Sequence, residues 1–200
     1  MLILSSMGNS SEGFGFETLL EIASRCGSAT AFKKGISWNA DSDLERSWAD
    51  WTRSSFQPFI LPHLLEVQDL SSRQFVREIL GLDRAFSSLL SKESEEKSLE
   101  AGRQLLSMKS LKTDRTLDRI QRAVAAGNAP GHFATLFAVR AAVFSIAPRT
   151  TVSAYLLQEL VCEIPDPDLQ AELLALGLSE VNDFFRHSAE TKAEAMRSNA

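Results

Sequence analysis

From Glu17 onward, apolar residues recur at spacings of three and four, while period-two alternation is hard to find, so the chain reads as all-α. "FETLLEIASRCG" predicts a short helix with Gly27 as its C′ stop. "SATAFKKGISWNA" has no clear period and reads as a loop. In "SDLERSWADW" a capping box runs from Ser42 to Glu45 and places Leu44, Trp48 and Trp51 on one face. Pro58 and Pro62 punctuate the next segment and are expected to start a new helix after each bend.

The clearest amphipathic stretch is "SSRQFVREILGLDRAFSSLL". It carries a Ser71–Gln74 capping box, and Phe75, Ile79, Leu82, Phe86 and Leu89 stand in register for the core. "SKESEEKSLEAGRQLLSMKSL" follows, with Glu93, Glu95 and Glu96 in a first turn that favours negative charge. Gly102 in its middle costs about 1 kcal/mol relative to Ala, which predicts close approach of a neighbouring helix. "TDRTLDRIQRAVAAGN" turns Leu117, Ile120 and Val124 inward and Arg115, Arg119 and Arg122 outward. That basic stripe is either a docking face for an acidic partner or a solvated face balanced by Asp114 and Asp118.

The segment from Gly127 to Thr150 is apolar on almost every side and reads as the buried central helix, begun by Pro130 and Gly131 and limited by Pro148. His132 at its mouth is expected to be a neutral, hydrogen-bonded imidazole fixing the preceding loop. Arg140 within it is expected to find a carboxylate or to reach the surface. "TTVSAYLLQELVCEI" makes a further helix, with Glu159 and Glu163 on one face. Such a pair suits acid and base work if buried, but a solvated face is the expected reading. Asp166 as N-cap and Pro167 at the first position then open a helix carrying Leu169, Leu173 and Leu176 inward. The chain is thus expected to form one all-α domain over residues 1–186, a bundle of roughly eight to ten helices, with residues 187–200 a frayed or disordered tail.

Composition narrows what such a bundle does. With 200 residues, 44% of them hydrophobic, the chain can bury a real core. A net charge of −5 argues against a broad grip on nucleic acid and favours protein partners. Cys26 and Cys162 stand far apart, which indicates neither a disulfide framework nor a zinc knuckle and fits a cytoplasmic setting. The N-terminus lacks the positive region of a signal peptide, and the longest apolar run, Phe133 to Ala147, is too short to cross a bilayer. There is no phosphate-binding loop, no paired metal-ligand motif and no nucleophile elbow, so no catalytic residue, metal ligand or cofactor is assigned.

The order of four stretches resembles the urease accessory protein F (UreF) family. "LILSSMGNSSEGFGFETLLE" runs in step with the family's "LLQLADSAFPxGGFAHSxGLE", sharing Gly13, Phe14, Leu20 and Glu21. "EAGRQLL" is similar to a helix ending in "GR-x-LL", with Gly102, Arg103, Leu105 and Leu106 in place. "GHFATLFAVRAA" resembles "GHYPVVFGxxAA" through Gly131, His132, Phe137, Ala141 and Ala142. "AYLLQELVCEIPDPD" resembles a Tyr-bearing helix before "RxxPLGQ", with Tyr155 and Pro165 shared. Departures fall on polar positions: Cys162 stands for the Arg, and Asp166, Pro167 and Asp168 for Leu-Gly-Gln. Ala138 and Ser145 replace two glycines of the third motif.

The resemblance implies an all-α, homodimeric adaptor, not an enzyme. It would join the urease accessory GTPase, another urease accessory protein and apo-urease, and assist nickel insertion. Its partner-binding residues would be Gly13, Phe14, Glu21, Arg103, His132 and Pro165. A helical interaction module with other partners is the alternative. Trp48, Trp51, Phe56 and Phe59 either anchor the dimer interface or pack inside the monomer.

Overall fold

The computed structural model describes residues 15–28, 36–108 and 114–198. Gly13 and Phe14, expected to bind partners, lie outside the described residues. The elements are α1 (Phe16–Gly27), α2 (Leu44–Trp51), a π-helical stretch (Thr52–Ile60), α3 (Leu61–Ser72), α4 (Val76–Phe86) and a 3-10 turn (Ser87–Leu89). They continue as α5 (Lys92–Ser107), α6 (Arg115–Ala125), α7 (Phe133–Val143), α8 (Pro148–Glu163) and α9 (Pro167–Ser198). There is no strand among the described residues, as the all-α pattern requires.

α7 is the axis of the bundle, because a helix apolar on all sides can only be stable where every side is covered. It packs most heavily on α3 and also meets α1, α5, α6 and α8. α8 in turn lies between α1 and α9. A chain of aromatic rings links the layers: Trp38 to Trp48 at 4.8 Å, Trp48 to Trp51 at 4.9 Å, Trp51 to Phe56 at 5.3 Å and Phe56 to Tyr155 at 6.0 Å between centroids. Trp48, Trp51 and Phe56 therefore belong to the monomer's core, while Phe59 alone of the four proposed anchors stays exposed.

Several local expectations are corrected. The cap of α2 is Asp43, which accepts from the Arg46 amide, so the start falls one residue after Ser42. Ser71 caps nothing: it lies in the last turn of α3 and donates to the Val67 carbonyl, while α4 begins at Val76. Phe75 and Leu89 are exposed, and α4 buries Ile79, Phe86 and, unexpectedly, Asp83. Pro62 opens α3 as foreseen, but Pro58 makes no break. Its ring would clash with the carbonyl four residues back in an α-helix, and it sits instead in the wider π winding, which closes with the Leu61 amide on the Phe56 carbonyl.

The glycines show where helices meet. Gly27 is the last residue of α1 rather than its left-handed stop, which is Ser28 at φ 57°. A Cβ on Gly27 would strike the Phe137 ring at 2.8 Å and also the Gln158 amide, so glycine is there to let α1 close on α7 and α8. A Cβ on Gly102 would run into the Gly131 carbonyl. The neighbour that the sequence implied is the backbone entering α7.

Three helices end alike. The amide two residues past the cap returns to the carbonyl of the C3 residue in α3 (Phe75 to Leu70), α6 (Asn128 to Ala123) and α7 (Ile146 to Ala141). The left-handed residue is Gln74, Gly127 and Ser145 respectively. α7 is thus stopped by Ser145, and Pro148 is the start of α8. A left-handed L-residue costs about 1 kcal/mol that glycine avoids. Ser145→Gly, at an exposed position, is expected to raise stability by about that amount, read as a higher urea midpoint with unchanged slope.

Candidate functional site

The polar groups gather where the chain enters α7. Gly131 holds φ 80°, which points its amide and that of His132 toward α4. There Asp83, 1% exposed, accepts from Gly131 N at 2.7 Å, His132 N at 3.0 Å and the Thr135 hydroxyl at 2.6 Å. A carboxylate set against the first amides of a helix satisfies donors that the helix cannot, and complements its dipole. α3 adds His63, whose Nε2 lies 2.8 Å from Thr135 Oγ1. Since the single Thr135 proton goes to Asp83, His63 Nε2 is the donor in that bond.

His132 completes the junction from the other side, with Nε2 at 2.8 Å from Ser87 Oγ and Nδ1 at 3.3 Å from Ser98 Oγ. Ser98 also accepts from Phe133 N at 3.2 Å, so one α5 hydroxyl serves both ring and helix start. Phe86 lies between the imidazoles, stacked on His63 at 4.1 Å and edge-on to His132 at 5.4 Å. Burial pushes the His63 imidazole down to about 3, with the neighbouring His132 acting in the same direction. Burial also lowers His132, against the opposing pull of Asp83 and Glu95. Both rings are neutral at pH 7, and His132 is hydrogen-bonded as expected, but its ring ties to Ser87 and Ser98, whereas the preceding loop is held at Gly131 N by Asp83.

A second buried carboxylate acts at the opposite flank. Glu159 is fully buried, not on a solvated face as expected. It accepts from Ile36 N at 2.8 Å, Ser37 N at 3.0 Å, Ser37 Oγ at 2.6 Å and Trp38 N at 3.3 Å. Burial raises its carboxyl above the ordinary value, while the Ser37 hydroxyl and the three amides oppose that rise. It clasps the segment leading into α2. No group of three His, Cys, Asp or Glu among the described residues is placed to hold a metal ion.

The residues expected to bind partners are not brought together. Glu21 lies exposed on α1 in an ion pair with Arg25, Arg103 is exposed on α5 and Pro165 is exposed between α8 and α9. His132 is buried at the α7 entry. Arg115, Arg119 and Arg122 line the outside of α6, and Arg122 Nε donates to the Asp118 carbonyl at 3.2 Å instead of pairing with the carboxylate. Arg140 meets neither expectation: it is 7% exposed, its Nε is buried without a hydrogen-bond partner, and no described carboxylate pairs with it.

Sequence reasoning missed Asp83 because an acidic residue on an amphipathic helix reads as outward, and missed the Glu159 clasp for the same reason. The available signal for Asp83 was its register, four residues after Ile79 and so on the same helix face. No helix among the described residues is long and apolar enough to cross a membrane.

No match is found to curated proteins or to solved structures. The UreF family model matches residues 41–161, from just before α2 to near the end of α8. That span takes in the second and third stretches of the resemblance and Tyr155 of the fourth, but not the N-terminal stretch or Pro165. Matched over more than half of its length and helical throughout its described elements, the chain belongs to the UreF family, the non-catalytic accessory proteins of urease maturation.

Proposed function

We propose that this chain is an adaptor in urease maturation that binds the urease accessory GTPase, a further urease accessory protein and apo-urease, and so assists delivery of nickel as cargo. The observation that carries this reading is the family match over residues 41–161. It is supported by where the polar chemistry lies. The buried carboxylates and imidazoles hold α7 and the segment before α2 in place, which leaves recognition to surface groups such as Glu21 and Arg103. The adaptor works in the cytoplasm as a homodimer, for which Phe59, 39% exposed beside the buried aromatic cluster, is an available anchor.

Co-expression with the accessory GTPase and the remaining maturation factor, followed by affinity co-purification, is expected to yield a complex. The chain is likewise expected to restore urease activity in a strain that lacks its own copy. Failure of both sinks the reading.

A second reading, a module with partners outside the urease machinery, rests on the segment before α9. There Asp166 Oδ1 accepts from Asp168 N at 3.0 Å, so the Asp166 side chain is committed to starting the helix. This segment lies beyond the matched residues. Absence of urease structural genes from the gene's neighbourhood would favour it.

A further inference from the structure

Arg140 is a cation that the described chain leaves unbalanced. Its Nε is buried without a partner, and no described carboxylate lies within ion-pair distance. The group that responds most to it is the Cys26 thiol, but burial pushes that thiol up to about 12 and keeps it neutral. Burial lowers the Arg140 guanidinium as well, yet a guanidinium stays charged in proteins. Of its nitrogens only Nε is buried without a partner, and the outer two open on the space beside them, where an anion would take the place of water.

Arg140 also lines a cavity of about 220 Å³ between α5, α6 and α7. Leu105, Leu106, Ser107 and Met108 come from the end of α5, Leu117 and Gln121 from α6, and Leu136 precedes Arg140 by one turn of α7, so the lining is apolar on one side and polar on the other. One water occupies about 30 Å³ of liquid, so the space exceeds the needs of a small inorganic anion. Such an ion would leave the leucine and methionine side of the lining facing water. A carboxylate joined to an apolar body of several carbons satisfies both the charge and the walls. A lone Asp or Glu side chain, with one or two methylenes, leaves much of the wall uncovered.

We propose that this cavity binds a small organic monocarboxylate, its carboxylate on the Arg140 guanidinium and its apolar body against Leu105, Leu117 and Leu136. The proposal is independent of any urease partner.

The test is calorimetric titration of the full chain with octanoate, octanol and inorganic phosphate. One-to-one binding of octanoate is expected, with octanol and phosphate at least about tenfold weaker, since a charge-assisted hydrogen bond is worth roughly one to two factors of ten. Arg140→Met removes the charge in a shape the core accepts and is expected to weaken octanoate at least about tenfold. Gln121→Trp, at an exposed position of the cavity wall, is expected to block entry without touching the cation. Absence of octanoate binding, equal binding of octanol, or unchanged affinity in Arg140→Met would each overturn the proposal.

Discussion

Asp83→Ala is expected to destabilise the protein by about 3–5 kcal/mol, a large part of the 5–15 kcal/mol typical of a domain. The loss is large because three donors depend on one side chain: Gly131 N, His132 N and the Thr135 hydroxyl. All three are buried, and alanine offers none of them an acceptor. The His63 bond to Thr135 is weakened in turn, since Thr135 would be free to rotate away from it. Asp83→Asn keeps the shape and one good acceptor, and is expected to recover part of the loss. Urea unfolding measures both, and a cost below about 1 kcal/mol for the alanine variant would contradict the role given to Asp83.

Acidification is expected to be the second large effect. His63 titrates at about 3 in the fold against 6.5 in the unfolded chain, so between those values only the unfolded chain takes the proton. Stability therefore falls as the pH drops through that window, by up to about 1.4 kcal/mol per pH unit for each such group. His132 is lowered too and acts in the same direction. Glu159 acts in the opposite sense: its raised carboxyl holds a proton to higher pH in the fold, so acid relieves part of its burial. With two imidazoles against one carboxyl, net loss on the acid side is expected. His63→Gln keeps a donor for Thr135 without a charge to gain, and its stability should depend less steeply on pH between 6.5 and 4. Equal slopes for the two proteins would remove His63 as the cause.

How much of this was legible in the sequence depended on the range of the cause. Helix positions followed from local periodicity, and α9 begins where Asp166 and Pro167 place it. The central place of α7 was legible because a run apolar on all sides has no other stable location. Gly102 announced a close approach, although not that the approaching atoms are those of the Gly131 backbone. What failed were features set by residues far away in the chain. Asp83 and Glu159 are inside only because amides nearly fifty and more than a hundred and twenty positions away need acceptors. Ser71 and Gln74 look like a capping box, but the turn between α3 and α4 is closed by backbone bonds instead. Arg140 was singled out correctly as anomalous, and the expected carboxylate is the part that the described chain does not supply.

The Glu159 clasp bears on the order in which the chain assembles. It joins Ile36, Ser37 and Trp38 to a side chain 121–123 positions later. On a ribosome adding about 5–20 residues per second, the segment before α2 waits on the order of ten seconds for its acceptor to be made. Until then the three amides lack their acceptor, while α3 and α4 can already pair. A segment made just ahead of the matched region is thus among the last to be locked, and the buried Trp38 within it would report that final step by fluorescence.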